Sequence, residues 1–270
     1  MKLKDKVVII TGATSGIGEA CAHIFGGEGA KIVITGRNKQ KLDLSLTNLK
    51  KAGIEALSIL ADAASEADNR RMVEETLAHF GRIDILINNA GISMRALFQD
   101  LNLEVFRQVM DTNFWGTVYA TKFCLPAILK SKGSIIGISS INGYRGTPAR
   151  TAYTASKYAI NGFYESLRTE VMNSGVHVMV AAPGFTSSNI RNNALTADGK
   201  SQGESPRDEG KMMSAEEVAK EILKATLNRK RDLVLTLQGK LAVFLNKWIP
   251  ATMDGMVYRE MAKEKDSPLK

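Results

Sequence analysis

The feature that most constrains this chain is its rhythm. Short β-branched and aliphatic runs alternate with longer segments of helical length and period. The runs are Val7–Thr11, Lys31–Thr35, Ile54–Leu60, Ile83–Asn88, Gly133–Ser139, His177–Ala182 and Asp232–Leu235. Between them lie Gly16–Gly26, Lys39–Ala52, Glu66–Phe80, Leu103–Lys130, Thr154–Asn173 and Ala215–Asn228. Apolar runs, such as Ile83–Ile87, are expected to be buried on both faces, as a parallel sheet covered by helices requires. The alternation predicts successive right-handed βαβ units in one open sheet. No internal repeat or linker divides the 270 residues, so one domain over 1–270 is expected. One segment breaks the rhythm: residues 183–213 are polar, directly follow a predicted strand end, and are expected to form a lid over a site.

The first run leads into Thr11-Gly12-Ala13-Thr14-Ser15-Gly16-Ile17-Gly18. Glycines at this turn let the backbone approach a pyrophosphate, and the helix start behind them offers free N–H groups. The spacing is Gly-x-x-x-Gly-x-Gly, not Gly-x-Gly-x-x-Gly, but it sits on the first strand of the series. The second run ends in Thr35-Gly36-Arg37-Asn38. A carboxylate there would favour NAD through the ribose hydroxyls. Arg37 instead suits a 2′-phosphate, with Ser15 and Asn38 adding hydrogen bonds. NADP(H) is therefore expected over NAD(H).

Tyr153 and Lys157 stand at i and i+4, on one side of a predicted helix. An ammonium beside a phenol stabilises the phenolate, so Lys157 is expected to lower the pKa of Tyr153 from about 10. Upstream, Asn88-Asn89-Ala90-Gly91 closes the fourth run, and Asn113 lies inside a helical segment that it should cap or kink. Ser140 stands thirteen residues before Tyr153, and Asn113 twenty-seven before Ser140. With Pro183-Gly184 downstream, these motifs occur in the order of the short-chain dehydrogenases/reductases, which the chain resembles over about residues 5–235.

The resemblance implies a Rossmann-type, doubly wound parallel sheet of about seven strands with helices on both faces. It implies Tyr153 as general acid or base, Ser140 as hydrogen-bond donor to the substrate oxygen, and Lys157 as holder of the nicotinamide ribose. Asn113 would anchor a water that relays protons to Lys157. Gly12, Ser15, Gly16, Ile17, Gly18, Arg37 and Asn38 would hold the phosphates and the adenosine end. Asn89, Ala90 and Gly91 would line the adenosine ribose, Asp62 the adenine, and Pro183, Gly184 and Thr186 the carboxamide. Ser140, Ile141, Asn142 and Tyr153 would meet the substrate. No metal is implied.

Residues 88–98 and 150–157 most resemble the 11β-hydroxysteroid dehydrogenase-like branch, which prefers NADP(H). From that branch the chain is expected to depart in having no N-terminal membrane anchor. The substrate class implied is a small carbonyl compound or secondary alcohol. A 3-oxoacyl-carrier-protein reductase is the rival enzyme, and a catalytically silent NADP-binding sensor or scaffold the rival of another class. Arg95, Arg145 and Arg150 lie near the substrate residues in sequence and are candidates for an anionic substrate, but solvated or structural roles are expected for them.

The net charge of +8 admits nucleic acid, an anionic membrane or a phosphorylated cofactor as partner. No groove-reading helix or aromatic-basic motif supports nucleic acid. Two cysteines and no signal sequence suggest a cytoplasmic protein. Association as a homodimer or homotetramer through 103–130 and 154–173 is what the family resemblance implies. In the amphipathic extension 236–270, Leu237, Leu241, Phe244, Leu245, Trp248 and Ile249 recur at helical spacing, continued by Met253, Met256, Val257 and Met261. That stripe is expected to pack on its own domain or a partner subunit rather than on a membrane.

Overall fold

The computed structural model describes residues 1–187, 189–207, 210 and 212–270. Among them, seven parallel strands make one sheet: β1 Val7–Ile10, β2 Lys31–Gly36, β3 Ala56–Leu60, β4 Ile85–Asn88, β5 Ser134–Ile138, β6 His177–Ala182 and β7 Asp232–Val234. The connecting helices are α1 Gly16–Gly27, α2 Lys39–Lys51, α3 Glu66–Phe80, α4 Leu103–Met110, α5 Gly116–Ser131, α6 Thr151–Glu170 and α7 Ala215–Leu227. After β7 come α8 Leu237–Trp248 and α9 Pro250–Ala262.

Strand period decides the layers. Along β1, Val8 and Ile10 join a core with Cys21 and Phe25 of α1 and Val218 and Ile222 of α7. Val7 and Ile9 point the other way, to Met72 of α3, Cys124 of α5 and Tyr164 of α6. Ile32 and Ile34 of β2 divide from Val33 in the same manner, so both faces are buried as expected. The fourth strand starts at Ile85, not Ile83, because the buried Asp84 accepts from the Val7 backbone N–H and from Lys6 Nζ, each at 3.0 Å.

The strand order is β3-β2-β1-β4-β5-β6-β7. The chain winds outward from β1 to β3, then returns to place β4 on the other side of β1. That reversal opens a crevice at the carboxyl ends of β1 and β4, where such sheets hold ligands.

The helix expected over 103–130 is not continuous. A π-helical turn, Asp111–Trp115, separates α4 from α5. The extra residue it accommodates swings Asn113 inward, and the Thr117 hydroxyl donates to the Asn113 carbonyl at 2.8 Å. Insertions of this kind are often found at functional sites.

Candidate active site

A cavity of 1080 Å³ runs along the carboxyl edge of the sheet. One end lies against Arg37, Asn38 and Asp62; the other is closed by the 183–213 segment and the C-terminal helices. Ser15, Gly16 and Ile17 face it at the start of α1, and the Ser15 side chain does not cap that helix. The first-turn N–H groups therefore remain available to an anion. Gly12 has φ of 64°, and a Cβ there would stand 2.8 Å from Ala90 Cα. Only glycine fits such a left-handed, close-packed corner.

Asn89 lines the cavity together with Ala90 and Gly91, and its side chain also braces the glycine turn. Its Nδ2 donates to the Thr11 and Gly12 carbonyls at 3.0 and 2.9 Å, stapling the glycine turn to β4. Thr11 Oγ1 accepts from the Asn89 and Ala90 N–H groups, both at 3.0 Å. Gly18 does not line the cavity; it is buried beneath the turn, where a Cβ would meet Asn89 Nδ2. Asn38 caps α2 by accepting from Lys41 N–H at 2.9 Å, so its carbonyl oxygen is engaged. Arg37 is open to solvent, and its guanidinium lies 3.8 Å from the Asp62 carboxylate. A carboxylate thus does reach this corner, supplied by the end of β3. Lys41, which the sequence reading missed, adds a second cation to the cavity wall.

At the centre, α6 carries Tyr153 and Lys157 on one side, with Lys157 Nζ 5.5 Å from the Tyr153 ring centroid. Lys157 is buried and donates to the Ile138 carbonyl at 2.8 Å. Burial pushes its pKa down to about 8. Burial also raises the Tyr153 pKa, opposed by a hydrogen bond with Ser140 and by the charges of Arg150 and Arg191. Lys157, itself desolvated, directs its ammonium to the Ile138 carbonyl, and burial is the largest influence at Tyr153. Ser140 Oγ also accepts from the Asn142 N–H at 3.2 Å.

Asn113 is fully buried and does not line the cavity. Its Nδ2 donates to the Ile92 carbonyl and to Ser156 Oγ, both at 2.9 Å, and its Oδ1 accepts from Ile92 N–H at 2.8 Å. Through these bonds its side-chain amide clamps the turn after Gly91 onto α6. Ile141 and Asn142 do face the cavity, but the Asn142 amide donates to Thr147 Oγ1 at 3.0 Å. The Ile141 N–H donates to the Pro183 carbonyl at 3.3 Å. Gly184 and Thr186 follow along the same wall, Thr186 donating its hydroxyl to the Gly184 carbonyl at 3.2 Å.

Described residues of the 183–213 segment, among them Phe185, Ile190, Leu195 and Met213, line the cavity. The segment is tied down by backbone bonds from Arg95 N–H to Leu195 and from Leu195 N–H to Ser93, while residues 188, 208, 209 and 211 of the expected lid lie outside the described residues. The C-terminal extension supplies the rest of the roof. Glu264, 3% exposed, accepts from Arg207 Nε at 2.6 Å and lies 3.5 Å from guanidinium nitrogens of Arg95 and Arg150. Arg145 pairs instead with Asp254 and Asn246 of the tail. The three arginines considered for an anionic substrate are thus engaged with the C-terminus, and Arg95 does not line the cavity. Glu264 and Arg207 were missed, since no spacing rule joins residues 57 apart.

The model for short chain dehydrogenase matches residues 6–199. The chain belongs to the short-chain dehydrogenase/reductase family. It is 37% identical over 273 residues to dehydrogenase/reductase SDR family member 7B of Rattus norvegicus, covering 98% of this chain and 84% of that protein. With 11-beta-hydroxysteroid dehydrogenase-like 2 of Arabidopsis thaliana it shares 38% identity over 187 residues, 68% of this chain and 60% of the plant protein. That likeness agrees with the branch indicated by residues 88–98 and 150–157. In fold, this short-chain dehydrogenase/reductase is similar to one from Burkholderia phymatum crystallised with NAD, with a TM-score of 0.83, 22% identity, and coverage of 93% and 96% of the two chains.

Proposed function

We propose that this chain is an NADP(H)-dependent oxidoreductase that interconverts a small carbonyl compound and its secondary alcohol. The observation that carries the reading is the convergence of Tyr153, Ser140 and Lys157 at the middle of a cavity whose far end is a glycine cradle. The cradle fits a dinucleotide: the Gly12 corner has no room for a side chain, and the start of α1 offers uncapped N–H groups. The cofactor would lie with its pyrophosphate there, its 2′-phosphate by Arg37 and Lys41, and its nicotinamide end between Lys157 and Pro183-Gly184-Thr186. When bound it supplies or takes the hydride.

The chain's own groups handle the proton. Tyr153, held protonated by burial, donates its O–H proton to the substrate oxygen in reduction and recovers it in oxidation. Ser140 hydrogen-bonds the same oxygen, adding a donor where negative charge develops. Arg150 and Arg191 oppose the cost of a buried phenolate. Asn113 acts one step removed, holding the turn after Gly91 against α6.

A homodimer or homotetramer through 103–130 and 154–173 belongs to this proposal, supported by the exposed Trp115, Leu129 and Tyr158 on those segments. A cytoplasmic location goes with it, Cys21 and Cys124 being separate buried thiols. The test is NADPH oxidation across ketone, diketone and acyl-thioester substrates with Tyr153→Phe beside the wild type. We expect turnover by the wild type and a loss of about 10²–10⁴-fold in the variant. Equal rates would overturn the mechanism, and a thioester preference would transfer the chain to the acyl-carrier reductases.

A further inference from the structure

We infer that the outward face of α8 is a docking surface for an anionic lipid bilayer. The expectation that the tail stripe packs on its own domain holds only in part: Met253 and Met261 are buried, but α8 turns its apolar residues away from the protein. Leu237, Leu241, Phe244 and Trp248 are 85%, 53%, 59% and 72% exposed. At 100° per residue they fall within one narrow stripe of a helix. Ile249 extends the patch at the turn into α9. The opposite side of α8 is the one committed to the fold, with Gly239 against Ile141 and Ala242 on the cavity wall.

Charge selects the occupant. Lys240 and Lys247 are exposed along one flank of the stripe, and α8 contains no carboxylate. In a two-fold contact between copies the same patch meets itself, which brings four lysines to one seam with no α8 carboxylate to pair with them. Anionic headgroups satisfy the lysines while acyl chains take up Leu241, Phe244 and Trp248. Contiguous apolar surface of this kind is rarely left bare on a soluble protein. With 12 residues, α8 is shorter than the roughly 20 needed to span a bilayer, so it lies in the interfacial plane. The contact would set the α8 wall of the cavity at the lipid surface.

The inference does not rest on the proposed reaction, and its test reads binding. Full-length protein is sedimented with phosphatidylserine–phosphatidylcholine vesicles and with phosphatidylcholine alone. We expect binding to the anionic vesicles that weakens with salt. Leu241→Glu with Trp248→Glu should reduce it by about tenfold or more, and Lys240→Glu with Lys247→Glu should abolish the preference for anionic lipid. Turnover of soluble substrate should be unchanged in all of them. No binding to anionic vesicles overturns the inference. So does a dimer, seen by analytical ultracentrifugation, that Trp248→Glu dissociates.

Discussion

The two ends of the cavity are built by different physics. The glycine cradle is a backbone structure: neighbouring strands, a helix start, and carbonyls held by Thr11 and Asn89. Its pieces come from the first 91 residues and from turns directly after strands. The substrate end is assembled from distant chain segments, and side-chain ions hold it. Glu264 near the C-terminus is surrounded by Arg95, Arg150 and Arg207. The cradle suits a ligand that every family member shares; the roof is where substrate choice can vary without disturbing it.

Five substitutions can break or sharpen that contrast. Gly12→Val forces a side chain onto Ala90 at a positive φ, so NADPH affinity should fall by roughly a hundredfold or more, measured by fluorescence titration. A near-native Kd would mean the cradle is less rigid than its backbone suggests. Glu264→Ala leaves buried guanidinium groups without their carboxylate and should cost about 3–5 kcal/mol in urea unfolding. Its substrate KM should rise while NADPH affinity holds. If both affinities fell together, the two ends would not be separable.

Lys157→Met tests the boundary between them. Because the folded pKa of Lys157 lies near 8 against an ordinary 10.5, the unfolded chain binds more protons between those values, and stability contributed by this group rises with pH there. The variant should therefore be more stable than wild type at pH 7 by about 1–3 kcal/mol, and the gap should close as pH rises from about 8 to 10.5. A gap independent of pH would place the effect in packing. The smallest effect belongs to the exposed corner. Arg37→Ala should lose about tenfold in NADPH efficiency and leave NADH unchanged, whereas Asp62→Asn should improve NADPH about twofold by freeing the guanidinium. NADPH kinetics indifferent to Arg37 would remove the cofactor assignment.

Much of this was legible in the order of residues. The alternation of apolar runs with helical segments located all seven strands to within two residues, because both faces of the central strands are covered and burial is written into those runs. The π turn at Asp111–Trp115 was not legible, since a helix with one inserted residue keeps nearly the same apolar pattern. Asn113 was recognised as out of place in a helix, but its partners Ile92 and Ser156 were not. Nor was the rise that burial imposes on the Tyr153 pKa, opposed by Ser140, Arg150 and Arg191, which depends on how deeply α6 is packed.

By itself the sequence determined the sheet and the glycine turn, because each is encoded by short-range spacing within a βαβ unit, while Ser140, Tyr153 and Lys157 were singled out through the order of motifs that the chain shares with its family. Only the tertiary structure decided the roles of Asn38, Asn89, Asn113 and Asp62, the closure of the roof through Glu264, and the outward turn of Leu241 and Trp248. Those depend on which distant groups meet after burial, and a one-dimensional spacing carries no record of that.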